Sequence, residues 1–164
     1  MIVVSNTSPI TNLATIGQLE LLPKLYSQVI IPQAVYEEIV ISGSGKPGAA
    51  EVQAASWIEV KKATDQTLVA KLELELDQGE AESIALSLEL KADLVLLDER
   101  QERKVGVRFG LNMIGLLGIL IEAKRQSLIV QVQPLLEELR TKAGFWIGDK
   151  LYQQVIQIAG ESHP

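Results

Sequence analysis

Residues 77–103 read DQGEAESIALSLELKADLVLLDERQER, and the fold follows from this stretch. Ala81, Ile84, Ala85 and Leu88 recur at helical spacing and form one apolar face. Lys91-Ala92-Asp93 breaks the pattern. Leu94-Val95-Leu96-Leu97 is then a continuous apolar run, as expected of a strand covered on both faces in a parallel sheet. A helix followed by such a strand is one half of an α/β unit. The helix runs antiparallel to the strands, so its first turn lies where the strands end. Glu80 is in that turn and Asp98 follows the strand, which brings both acids toward the carboxyl edge of the sheet, where open α/β sheets bind ligands.

Composition narrows the classes. One chain of 164 residues, 47% hydrophobic, is expected to form a single domain (1–164) with a real core. It has no cysteine, which excludes disulfides and thiolate metal sites. Its one histidine, His163, is penultimate, so histidine catalysis is not expected. The start, MIVVSNTSP, lacks the basic and apolar regions of a signal peptide, and the most apolar stretch, 109–123, is interrupted by Asn112. A soluble cytoplasmic protein with no membrane partner is expected. A net charge of −6 argues against broad nucleic-acid binding through a basic surface. It leaves room for a nuclease whose acids hold cations, because bound cations reverse the local field.

Outward from the central stretch, strands and helices alternate. Residues 2–4 form a strand, and residues 10–16 a short helix with Ser8 as N-cap and Pro9 at its first position. Residues 19–25 are helical, 29–31 a strand, and 33–41 a helix bearing Glu37 and Glu38. Residues 42–48, SGSGKPG, are a loop; its Gly-Lys lacks the phosphate-loop spacing, and Pro47 stands where Ser or Thr belongs. Helices are expected at 49–55, 69–76, 102–109 (basic and amphipathic, with Gly110 at its end), 116–125, 134–142 and 149–159. Strands are expected at 57–60 and 112–114, and 145–147 is a short strand or a packing anchor. This is the pattern of an α/β fold with a mainly parallel sheet.

Asn6, Glu38, Glu80 and Asp98 can converge at one sheet edge. Hard divalent cations take oxygen ligands, and phosphodiester cleavage by such ions needs several carboxylates in a small volume. Each residue also has a simpler reading. Asp77 and Glu80 fit a capping box, Glu38 a solvated helix position, Asp98 a cap on the next helix, and Asn6 a turn. Arg100, Arg103 and Lys104 are a solvated basic face or contacts for an RNA backbone. Leu116, Leu117, Leu120 and Ile121 are core, with part of that surface available to a homodimer. A receiver-type domain would need an acidic pair after the first strand, and VVSNTS has none.

The chain resembles the PIN-domain family, in particular VapC-like toxins and a poorly characterised prokaryotic PIN-like branch. The resemblance rests on VVSNTSPI (3–10), IPQAVYEEI (31–39), LDQGEAESIALSLEL (76–90), ADLVLLDERQERKVG (92–106), IGLLGILIEAK (114–124) and GFWIGDKLYQQVIQIAGE (144–161). It implies a three-layer α/β/α fold around a parallel sheet and Mg²⁺- or Mn²⁺-dependent RNA cleavage, with a small antitoxin protein as partner. It further implies Glu38, Glu80 and Asp98 as catalytic metal ligands, with Glu37 and Glu82 as register alternatives. Asn6 stands where the family has its first aspartate, and Thr7 and Ser8 would lie beside the metal. An amide oxygen can bind Mg²⁺ but brings no charge. The competing expectation is therefore a weakened module that binds RNA or a protein without cutting.

Overall fold

The computed structural model describes residues 1–161; His163 lies outside them. Five strands, all parallel, form one sheet: β1 (Val3–Ser5), β2 (Val29–Pro32), β3 (Ile58–Lys61), β4 (Leu94–Leu96) and β5 (Met113–Ile114), in the order β3-β2-β1-β4-β5. The helices are α1 (Thr7–Thr15), α2 (Leu21–Tyr26), α3 (Gln33–Tyr36), α4 (Ala49–Ala54), α5 (Gln66–Leu72), α6 (Gln78–Leu90), α7 (Arg100–Arg108), α8 (Leu116–Arg125), α9 (Gln133–Thr141) and α10 (Asp149–Ile158). Strand order reverses at β1, whose neighbours are β2 and β4.

Successive strand residues point to opposite faces, and β1 shows how this makes three layers. Val3 enters a core with residues of α1, α2, α8, α9 and α10. Val4 enters a second core on the other face, with Val69 and Leu72 of α5, Ala81, Ile84 and Ala85 of α6, and Val105 of α7. The result is the expected α/β/α architecture.

The central stretch folds as its pattern dictates. Asp77 caps α6 by accepting from the Glu80 N–H at 2.8 Å, and the Glu80 carboxylate accepts from the Asp77 N–H at 3.0 Å, a complete capping box. Lys91 ends the helix in the left-handed region at φ 54°. Asp93 then accepts from the Ile2 N–H at 2.6 Å, which sets β4 beside β1.

Several boundaries differ from expectation. α1 begins at Thr7, so Ser8 is not its cap and Pro9 is not its first residue; Asn6 holds the cap position, with its side chain directed elsewhere. The helix over 33–41 is α-helical only to Tyr36 and continues as a wider π-helical turn through Glu37–Ser42. α5 starts at Gln66, earlier than expected, because the Asp65 carboxylate accepts from the Leu68 N–H. α7 starts at Arg100 and ends where Gly110 turns back at φ 72°. Residues 145–147 form no strand; Ile147 is buried and Trp146 is exposed.

Candidate metal and RNA site

Asn6 leaves β1 at the carboxyl edge of the sheet, and the first turn of α1 spreads from it in two directions. The Thr7 hydroxyl donates to Glu38 Oε2 at 2.9 Å. The Ser8 hydroxyl donates to Asp98 Oδ2 at 3.3 Å. Two adjacent residues thus tie the acids of two different elements to the end of one strand.

The π-helical turn carries Glu38 toward this edge. Glu37 instead accepts from Gln33 Nε2, one turn back on its own helix. Gly79, in the first turn of α6, closes the gap between Glu38 and Asn6. A Cβ on Gly79 would stand 2.9 Å from Glu38 Oε2 and 3.6 Å from Asn6 Oδ1, so glycine leaves the Glu38 carboxylate room that any larger residue would take. Glu80 sits one residue further, half-buried in the capping box. Burial raises its pKa, and the charges of Asp77, Glu99 and Glu38 add to the shift. Glu82 faces the interior and accepts from Gln78 Nε2 at 3.1 Å.

Asp98 does not cap α7. Its Oδ1 accepts from the Leu116 N–H at 2.7 Å and so caps α8, the helix after β5. Gly115 makes room, since a Cβ there would stand 3.1 Å from the carboxylate and 2.6 Å from Arg103 Nη2. Burial raises the Asp98 pKa, while the Leu116 N–H, the Ser8 hydroxyl and the Arg103 guanidinium oppose the rise. Arg103 reaches the Leu97 carbonyl at 3.4 Å. Arg100 and Arg103 border a cavity with Asp98. Lys104 is exposed on α7.

One acid was not anticipated from the sequence. Glu102, on the helix read as basic and amphipathic, is fully buried. Its Oε1 accepts from Asn6 Nδ2 at 2.9 Å, and its Oε2 has no hydrogen-bond partner. Burial and then the charge of Glu80 push its pKa up to about 9, against the pull of the Asn6 donor. Asn6 therefore keeps company with an acid although it is not one. The only sequence signal was an acid at i+4 from Asp98, one helical turn on.

These donors suit a hard divalent ion in kind, being carboxylate and amide oxygens, and an orphaned buried carboxylate oxygen is an atom that a cation or proton compensates. As they stand, no three His, Asp or Glu side chains among the described residues gather around a single point. Glu38 is held through Thr7 and Asp98 through Ser8, while Glu80 is near enough to Glu38 and Glu102 for their charges to act on one another.

A three-layer α/β/α domain with acids around the end of its central strand is compatible with a nuclease-type fold. The PIN-domain family model matches residues 2–161, and the chain belongs to that family. PIN domains are generally nucleases that hydrolyse phosphodiesters with divalent metal ions. No curated protein matches the chain. Among the described residues, no helix is long and apolar enough to cross a membrane.

Proposed function

We propose that this protein is a Mg²⁺- or Mn²⁺-dependent endoribonuclease and the toxin of a toxin–antitoxin pair, working in the cytoplasm. The observation that carries the reading is the first turn of α1, whose Thr7 and Ser8 hydroxyls hold Glu38 and Asp98 on either side of Asn6. Asn6 Oδ1, Glu38, Glu80 and Asp98 would hold the ion. Such an ion supplies Lewis acidity at the scissile phosphate and lowers the pKa of water. The chain's own groups do the positioning. The hydroxyls orient the two carboxylates, the α8 N-terminus fixes Asp98, and Arg103 places a positive charge beside it to meet a phosphate. A small antitoxin protein and a second copy of the chain are the proposed partners.

A second reading has its own support. Asn6 is neutral, and its amide is committed to Glu102. A domain that binds RNA without cutting it is consistent with both facts. RNA cleavage by the purified protein across Mg²⁺ and Mn²⁺ concentrations, beside Asp98→Asn, decides between them. The asparagine still accepts from the Leu116 N–H, so the fold stays, while cleavage should fall at least about a hundredfold, above the effect of losing an outer-shell group. Equal rates would remove Asp98 from the site. RNA binding with no cleavage at any metal concentration supports the second reading.

A further inference from the structure

A cavity of about 660 Å³ opens beside Asp98, between α7, the start of α8 and the segment leading into α10. Its lining includes Asp98, Arg100 and Arg103, and also Phe145, Trp146 and Leu151. We infer that this cavity is a nucleotide subsite for single-stranded RNA, in which a base stacks on Trp146 while the adjoining phosphate meets Arg100 and Arg103.

Trp146 is 85% exposed. It is not a lone surface residue, since Phe145 and Leu151 line the same cavity beside it. Its position is built. The next residue, Ile147, is buried and fixes the backbone, and its carbonyl accepts from Arg140 Nη2 at 2.9 Å. The ring lies across Gly148, where a Cβ would stand 3.1 Å from Cη2. Every base has a π-face, so an exposed aromatic platform next to cationic side chains is the common equipment for unpaired nucleic acid.

Charge selects the occupant. The chain carries −6 overall, yet this cavity is lined by the two guanidiniums of Arg100 and Arg103. Two cations against one carboxylate favour an anionic occupant. A duplex cannot offer an unstacked base to the indole, so the subsite discriminates by strandedness. This inference rests on the ribonuclease reading and adds where the substrate lies.

The test uses the full chain with Trp57→Phe, which leaves Trp146 as the reporter. A single-stranded eight-nucleotide RNA is titrated in EDTA at low salt, so that nothing is cut. Indole emission should be quenched saturably, and the blunt duplex of the same sequence should quench little. Binding measured by anisotropy should weaken at least tenfold in Trp146→Ala and survive largely in Trp146→Phe. Arg100→Ala should lower the slope of log affinity on log salt by about one. Unchanged RNA affinity in Trp146→Ala, equal binding of duplex, or emission that depends on protein concentration alone (a second copy covering the indole) would each overturn the subsite. If the parent cuts RNA while Trp146→Ala binds equally well, the subsite fails and the ribonuclease stands. If the parent neither binds nor cuts RNA, both are overturned.

Discussion

Asn6 and Glu102 form a buried amide–acid pair at the end of the central strand, and the direction of their hydrogen bond has testable consequences. Asn6 donates and Glu102 accepts. Asn6→Asp removes the amide donor and sets a second buried carboxyl against an acid that holds its proton, and leaving such a buried group without its donor costs about 1–3 kcal/mol. Adding Glu102→Gln should restore much of this, because the new amide can donate in the opposite sense. Thermal melts in chelator of the two single variants and the double variant give the coupling energy, and simple additivity would show that the pair does not exist. The pH dependence of apo stability follows from the same carboxyl. Its folded pKa, about 9, lies above the ordinary 4.5. The folded chain therefore holds a proton that the unfolded chain has lost. The stabilisation is complete below the unfolded pKa and disappears as pH rises toward 9, at about 1.4 kcal/mol per pH unit within the window. Glu80 and Asp98 shift in the same direction, so the parent should lose stability from pH 5 to 9 more steeply than Glu102→Gln. Parallel curves would mean that Glu102 is ionised in the folded protein.

Among the elements, α6 and the π-helical turn meet through Gly79. Glycine at a helix position is less favourable than alanine by about 0.5–1 kcal/mol. Gly79→Ala should therefore leave apo stability equal or slightly higher, since the Cβ would collide only with the mobile end of Glu38. It should also displace that carboxylate and weaken Mn²⁺ binding, read by calorimetry. Unchanged Mn²⁺ affinity would show that Glu38 need not stand where α6 holds it. The same two elements mark where the sequence was legible. α6 and β4 were readable because period and capping residues are local, and Glu80 announced its cap three residues from Asp77. The π-helical turn was not, since nothing in QAVYEEIVIS distinguishes an i→i+5 bond from an i→i+4 bond. Asp98 is legible as a metal ligand or a cap on the next helix because it directly follows β4, but the partner it finds, the α8 N-terminus, comes from another β–α unit. Glu102 is hidden in the sequence because it sits among Arg100, Arg103 and Lys104, and its partner, Asn6, is far away in the chain.

For the whole molecule, the acids at the sheet edge are a standing electrostatic load that a bound cation would relieve. A ligand that binds only the folded state stabilises it by about 2.7 kcal/mol at a hundredfold its Kd. For a chain of this size that corresponds to a rise in Tm of about 5–10 °C. Mn²⁺ should produce such a rise and Asp98→Asn should shrink it, whereas equal melting in Mn²⁺ and in chelator would mean that no ion binds. The alternation of strands and helices sufficed to anticipate the layered fold, because each β–α unit is a local pattern. Which side chains meet at the edge depends on the strand order β3-β2-β1-β4-β5, which no local pattern contains.

That order also has a consequence during synthesis. β1 is made first, yet its neighbour β4 emerges only after residue 94, and the Leu116 N–H that secures Asp98 comes later still. At about 5–20 residues per second, the first strand waits on the order of ten seconds with one side unpaired. Throughout that interval the nascent chain lacks Asp98, and so has no complete cleft. A protein that we propose to cut RNA is therefore assembled on its own messenger in a form unable to attack it, and it gains its acids as a set only once Asp98 and Glu102 have been added.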